Sequence, residues 1–399
     1  MLSSERETFL AEASNGANFI PLTRSWPADL ETPLTTWLKV GYQNSPGVLL
    51  ESVEGGEQLG RWSVIASDPL WTATVRGNHL TREWRNGSKD ESIGNPFKEL
   101  KKWLSPYKLS ALSEVPPLGQ LYGMWGYELI NWIESKVPIH KRSNNEPPDG
   151  IWMLMDNILI FDQVKRVIIA VAYGDLTNNT SPKTAFKDAL NRINSLEKKM
   201  GDPLPSIGKM KWHSLNNNSI KTKSNFSKIN FEKQVVKAKE HIAAGDIFQI
   251  VLSQRLETEV KSEPFDLYRS LRMVNPSPYM AFFDFGDWQL IGSSPEVMVK
   301  AAPSPDGKKV FASLRPIAGT RPRGNNQDED LLLEKDLLAD PKEIAEHVML
   351  VDLGRNDLGR VCRPGSVQVK ELMVIEKYSH VMHIVSEIEG ILSEDNDVL

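Results

Sequence analysis

Short apolar runs bounded by turn residues alternate along this chain with stretches of helical periodicity. Residues 1–25 read as a polar lead-in with one short helix. Gly47–Ser52 (GVLLES) reads as a buried strand ending in two polar residues, and Arg61–Ala66 and Leu70–Val75 read as further strands. Gly77-Asn78 marks a turn before a strand at Leu80–Trp84. Helices are expected at Pro96–Leu104, Tyr127–Glu134 and Ser181–Met200, with a strand at Gly119–Trp125. Ile151–Asp162 and Arg166–Ala172 are expected to pair as two strands around Gln163-Val164-Lys165.

Residues 201–229 are poor in large apolar side chains and rich in Asn, Ser and Lys, the composition of a surface linker. Beyond them the pattern sharpens. Asn230–Ala244 reads as a helix, Ile247–Arg255 as a strand and Pro264–Met273 as a helix. Tyr279–Phe285, Trp288–Ile291, Glu296–Ala301 and Val310–Ser313 read as successive antiparallel strands, with Pro303–Lys308 as one hairpin loop. Helices follow at Asp328–Leu338 and Pro341–Leu353, then strands at Val367–Val374 and His380–Glu389. Hairpin-linked strands with interspersed helices, without regular βαβ alternation, predict an α+β fold with large mixed or antiparallel sheets flanked by helices. The expected division is 1–200, a linker at 201–229, and 230–399, as two interlocked subdomains.

Composition narrows the partners. Charged residues make up 25% and hydrophobic residues 40% of the chain, with a formal net charge of −5 and no long basic run, which argues against nucleic acid. The N-terminus lacks an apolar signal core, and Ile151–Phe161 is interrupted by Asp156 and too short to span a bilayer. A single cysteine, Cys362, excludes an intrachain disulfide and suits a reducing, cytoplasmic setting.

Candidate chemistry lies in the second half. In DPKEIAEHVMLVDLGRND, Asp340 suits an N-cap and Pro341 the first helical position. Glu343, Glu346 and His347 fall on adjoining parts of one helix face, with Ile344, Val348 and Val351 as the expected buried stripe. Such a carboxylate pair suits Mg2+, although Asp340 with Glu343 also fits a plain capping box. Gln249 is a polar residue within an apolar run, either a satisfied core amide or a donor facing a site. Glu296 follows a Ser-Ser-Pro turn into an apolar strand, where desolvation would raise its pKa toward that of a general acid. Ala318-Gly319-Thr320 allows close backbone approach to a ligand, and the flanking arginines favour anions. His380 and His383 stand near a strand start. Cys362 lacks any activating context.

Six phrases in order, GDIFQIVLSQR, NPSPYM, GSSPE, RPIAGTRPRG, DPKEIAEHVMLVDLGRNDLGRV and YSHVMH, resemble the chorismate-binding enzymes, anthranilate synthase component I in particular. LLES at 49–52, GRWS at 60–63 and GMWGYEL at 123–129 extend the resemblance into the first half. The resemblance implies amination of chorismate at C2, loss of the C4 hydroxyl, and elimination of pyruvate to give anthranilate, the first step of tryptophan biosynthesis. It implies Glu346 as a Mg2+ ligand with Glu343 beside it, Glu296 as general acid, His383 near the departing hydroxyl, and Gly319 and Thr320 against chorismate. Isochorismate-forming relatives carry a lysine base where this chain has Gln249. The 4-amino branch, aminodeoxychorismate synthase component I, carries a lysine where this chain has Ala318. Both positions favour anthranilate.

The resemblance further implies that 1–200 is a regulatory domain and 230–399 a chorismate-binding catalytic domain. Feedback inhibition by tryptophan would act through Glu51, Ser52, Asn275, Pro278, Tyr279 and Met280, with Tyr279 and Met280 as an apolar wall for the indole. The pattern departs from the family at Ala281 and Glu387. Cys362 lacks the nucleophile context of an amidotransferase, so a separate glutaminase subunit in a hetero-oligomer is the implied ammonia source. The family pattern continues past the position of Leu399, so a chain truncated at the C-terminus is expected. The other reading is a non-catalytic tryptophan-binding relic.

Overall fold

The computed structural model describes residues 2–42, 46–53, 60–110, 119–134, 136–138, 146–205, 221–304, 306–378 and 380–398. In chain order the first half gives α1 (Leu2–Ser14), β1 (Phe19–Pro27), α2 (Pro33–Val40), β2 (Gly47–Glu51), β3 (Trp62–Ser67), β4 (Trp71–Arg76), β5 (His79–Trp84), β6 (Lys89–Ile93) and α3 (Pro96–Leu104). It continues with β7 (Leu121–Trp125), a 3-10 turn (Tyr127–Trp132), β8 (Gly150–Leu154), β9 (Asn157–Asp162), β10 (Val167–Asp175) and α4 (Pro182–Gly201). The second half gives β11 (Lys223–Ser224), α5 (Lys228–Ala244), β12 (Leu256–Glu257), α6 (Pro264–Val274), β13 (Tyr279–Asp284), β14 (Gln289–Ser294), β15 (Lys300–Pro303), β16 (Val310–Leu314) and β17 (Ile317–Pro322). The remaining elements are α7 (Gln327–Ala339), α8 (Pro341–Val361), β18 (Gln368–Lys377) and β19 (Val381–Ile391). The predicted α+β class is the observed one. No helix among the described residues is long and apolar enough to cross a membrane.

A seven-stranded antiparallel sheet runs β1-β10-β9-β3-β2-β13-β14. Its inner strand β9, NILIFD, is buried at every position, because the sheet is covered on both faces. Phe9, Phe186, Ala189 and Ile193 of α1 and α4 pack with Ile20 and Leu22 in one cluster. Val48, Val64, Met153, Ile160 and Phe283 form another. The hairpin β13–β14 thus joins a sheet otherwise built from the first half, through Met280 opposite Glu51.

The apolar run 151–162 is two strands rather than one. β8 pairs with β4 and β7 in a five-stranded sheet, and β9 pairs with β3 and β10 in the seven-stranded sheet. The chain changes sheets at Met155-Asp156. Asp156 is only 1% exposed, and its carboxylate receives Arg85 at 2.5 and 3.0 Å, Arg192 at 3.5 Å and the Asn157 amide at 3.1 Å. A buried carboxylate is tolerable only when so paired, which fixes where the chain can cross.

The last sheet centres on β19. β16 and β17 pair in series along one edge of it and β18 along the other, with β15 outside β16. Helix α8 packs against β16, β17 and β19. Its buried stripe is His347, Val351, Gly354 and Leu358, and Val348 stays 40% exposed. This corrects the expected Ile344-Val348-Val351 stripe: His347 takes a core position because Ser386 meets its Nε2 at 2.6 Å. The helix also continues past Leu353. At Gly354 a Cβ would lie 2.7 Å from Ile388 Cδ1, so the missing side chain lets helix and sheet approach closely.

Residues Ser206–Leu267 form a compact unit of their own, separate from Met1–Pro205 with Tyr268–Leu399. The strand expected at Ile247–Arg255 does not form there. Only Leu256–Glu257 pairs, with Lys223–Ser224, and no partner strand among the described residues offers 247–255 a ladder. Gln249 is exposed. Most of the expected linker, 206–220, lies outside the described residues.

Replacing Asp156 by Ala removes the buried carboxylate that Arg85 and Arg192 share at the sheet crossing, leaving Asp68 as the carboxylate partner of Arg85. Urea unfolding is expected to show a loss of about 3–5 kcal/mol. A change within about 0.5 kcal/mol, the level of an ordinary surface substitution, would contradict this account of the crossing.

Candidate functional site

The site builds outward from His383 on β19. Thr320 on β17 is its cross-strand neighbour, and the β17 register slips between Ala318 and Thr320. The extra residue is Gly319, with φ +76°, where a Cβ would meet Ile384 and Leu337 at 3.2 Å and Glu343 at 3.4 Å. Only glycine suits this left-handed, crowded bulge. His383 Nδ1 lies 3.0 Å from the Gly319 carbonyl and 3.1 Å from Thr320 Oγ1. The carbonyl can only accept, so Nδ1 carries the proton and donates, which leaves Nε2 as the nitrogen turned away from this contact. The Tyr378 ring meets the imidazole edge-on, with centroids 5.6 Å apart.

Glu296 is not within a strand as expected. It sits in the bend between β14 and β15, where the Ser-Ser-Pro turn breaks the ladder. Ser294 Oγ donates to the Glu296 carbonyl at 2.9 Å. Desolvation pushes the Glu296 carboxyl above its usual range, opposed by a hydrogen bond from the Ile317 amide and by the nearby His383. The acid, the imidazole and the 317–320 segment therefore meet, although Glu296 and His383 are 87 positions apart in sequence.

Asp340 caps α8, accepting from the amides of Lys342 at 3.0 Å and Glu343 at 3.4 Å. Arg321 bridges Asp340 at 2.9 Å and Asp336 at 2.6 Å and lies 4.0 Å from Glu343. These contacts, invisible in the spacing, tie the ASP-PRO start of the helix to the strand that carries Thr320. Glu346 stands one turn beyond Glu343, half-buried. No group of three or more His, Cys, Asp or Glu side chains among the described residues forms a closed metal cage. Two hard carboxylates on one helix face do suit Mg2+, which keeps waters and takes substrate oxygens for its other positions.

Sequence reasoning missed a second cluster beside His383. Arg315 pairs with Glu376, and Tyr378 donates to the other Glu376 oxygen at 2.7 Å. The available signals were Arg315 at the start of RPIAGTRPRG and Tyr378 within YSHVMH. Cys362 is buried, and burial pushes its thiol up, away from nucleophilic use.

The residues grouped around Glu51 behave differently from expectation. The Glu51 carboxylate is buried and takes three hydrogen bonds: Tyr268 Oη donates to it at 2.6 Å, Arg272 Nε at 3.0 Å and Nη2 at 3.2 Å. It therefore fastens α6 to the end of β2. Tyr279 is 38% exposed while Met280 is 1% exposed, because successive strand residues face opposite sides, so the two do not share one wall. Pro278 is buried and Ser52 follows β2 directly. Asn275 is tied to Ser293, whose hydroxyl donates to the Asn275 carbonyl at 2.6 Å.

A Gly319→Ala variant places a side chain in the left-handed bulge against Ile384 and Leu337. It is expected to lose about 1–2 kcal/mol of stability in chemical unfolding. Parental stability would show that the bulge relaxes freely.

Residues 61–399 match the chorismate binding enzyme family. The sequence is 52% identical to anthranilate synthase component 1 of Synechocystis sp., over 96% of this chain and 77% of that protein. It is 40% identical to anthranilate synthase component 1 of Pseudomonas aeruginosa, over 98% of this chain and 77% of that protein. The crystal structure of anthranilate synthase component I from Streptococcus pneumoniae superposes with a TM-score of 0.68 at 32% identity, covering 93% of this chain and 77% of that one. The menaquinone-specific isochorismate synthase of Escherichia coli gives a TM-score of 0.57 at 14% identity, covering 100% of this chain and 77% of that one, a likeness of fold alone. With this match over most of its length, the chain belongs to the family of chorismate-binding enzymes.

Proposed function

We propose that this chain acts as the chorismate-aminating large subunit of an anthranilate synthase. One observation carries the reading: Glu296, with its carboxyl pushed up by desolvation, stands near His383 and accepts from the Ile317 amide beside the Gly319-Thr320 bulge. A hydroxyl is a poor leaving group unless it receives a proton, and a carboxyl with a raised pKa holds one to give. Glu296 protonates the C4 hydroxyl of chorismate as it departs, while ammonia bonds to C2. His383, held by its Nδ1–H donation to the Gly319 carbonyl, offers Nε2 to that hydroxyl. Glu346 with Glu343 would hold Mg2+, which when bound neutralises carboxylate charge on the substrate. Gln249, where isochorismate-forming relatives carry a lysine base, has a neutral amide that does not generate hydroxide for the competing hydration, which favours amination. Ala318 offers no amine for the 4-amino branch.

Ammonia comes from a glutamine amidotransferase subunit in this reading, since the thiol of Cys362 is buried and inert. L-Tryptophan binds near Ser52 and the NPSPYM turn as feedback inhibitor. Glu51 acts there through its grip on Tyr268 and Arg272.

Mixed with chorismate, MgCl2 and ammonium, the protein is expected to generate anthranilate fluorescence, and Glu296→Gln to lower kcat by about 10²–10⁴-fold with chorismate binding retained. Full activity in that variant would remove Glu296 from the mechanism, and a parent protein without product would refute the assignment. Tryptophan is expected to raise the melting temperature of the parent and not of Ser52→Arg. Equal shifts in the two proteins would place the inhibitor elsewhere.

A further inference from the structure

We propose that His347 and Ser386 are positioning residues: they pin a left-handed bulge on β18, and that bulge sets the register which brings Glu376 and Tyr378 against His383. His347 and Ser386 are both 0% exposed, and neither reaches the open side of the site. The Ser386 hydroxyl joins two elements. It lies 2.6 Å from His347 Nε2 on α8 and accepts the Met373 amide of β18 at 2.9 Å.

Met373 has φ +53°, a conformation that non-glycine residues hold only when their surroundings impose it. The register shows what it accomplishes. Glu371 stands across from Glu387 and Val374 across from Val385, so three steps on β18 cover two on β19. A bulge absorbs the difference, and its freed amide is the one Ser386 takes up. Beyond the bulge Glu376 falls directly across from His383. Directly opposed residues share a face, so Glu376 can hold Arg315 and the Tyr378 hydroxyl beside the imidazole. A one-residue slip would send Glu376 to the other face, since side chains alternate along a strand. The pin thus acts on His383 from a distance, through the strand alignment, and without touching substrate.

The activity readout rests on the proposed chorismate amination, and a second readout does not. Ser386→Ala is expected to lower kcat/KM for anthranilate formation about 100-fold, the scale of a site displaced by about 1 Å. It is also expected to shift the NMR resonance of the His383 ring, assigned with a His383→Gln control. Met373→Gly alone, free of left-handed strain, is expected to keep parental activity. In the double variant Met373→Gly is expected to restore most of the lost activity and the parental His383 resonance, because glycine holds the bulge unaided. A side chain that only fills the core would give the opposite result, since deleting two groups adds their losses. Parental activity and resonance in Ser386→Ala, or additive losses in the double variant, would overturn the proposal. Should Ser386→Ala fail to fold, His347→Gln and His347→Leu replace it: the resonance is expected to persist in the first and shift in the second, and equal resonances would overturn the pin. If the parent forms no anthranilate, the assigned function falls, while the His383 resonance still decides the pin.

Discussion

A central strand must pair its backbone groups on both edges, and β19 does so while its neighbours fall out of step with it. The constraint is severe because an unpaired buried amide or carbonyl costs about as much as several ordinary contacts supply. On one edge the mismatch gathers at Gly319, and on the other at Lys370 and at Leu372-Met373. The side chains that meet the bulges at Gly319 and Met373 are those of His383 and Ser386, three residues apart on β19. The hydrogen bonds that complete the sheet are therefore the same ones that orient the imidazole of the site. Its geometry follows from backbone satisfaction, with no separate scaffold required.

Elsewhere the chain uses the same device with charge. Asp156 holds the crossing between two sheets through Arg85 and Arg192, and Glu51 holds α6 to β2 through Tyr268 and Arg272. Apolar packing is non-directional, so it stabilises a sheet sandwich without deciding where a strand must leave it. A buried ion pair adds little net stability, but a misplaced one leaves an uncompensated charge, and alternatives are penalised. Polar residues inside apolar runs thus mark the junctions of this fold.

Much of the local structure was legible beforehand. Pro96–Leu104 and the helix after Ser181 follow from caps, proline at the first turn and apolar spacing, all set by neighbours in sequence. The Glu296, Gly319-Thr320 and His383 constellation was legible only as separate phrases joined by a family resemblance, and the fold brings those phrases together. The errors share one cause. The run 151–162 looked like one strand because its apolar pattern cannot say which sheet each half joins. The stretch 247–255 looked like a strand because its composition cannot supply a partner ladder. The helix stripe was misjudged by one position because a histidine counts as polar until a buried serine meets it.

The sequence by itself determined the α+β class, most element boundaries, the N-cap at Asp340 and the chemical types of the candidate site. Those depend on short-range sterics, periodicity and side-chain chemistry, which the residues carry wherever they lie. The tertiary structure alone decided that Glu51 is a buried carboxylate paired with Arg272, that Arg321 ties the start of α8 to β17, and that His347 belongs to the core. Each depends on a partner distant in sequence, whose approach is set by strand register, and register is a property of the assembled sheet.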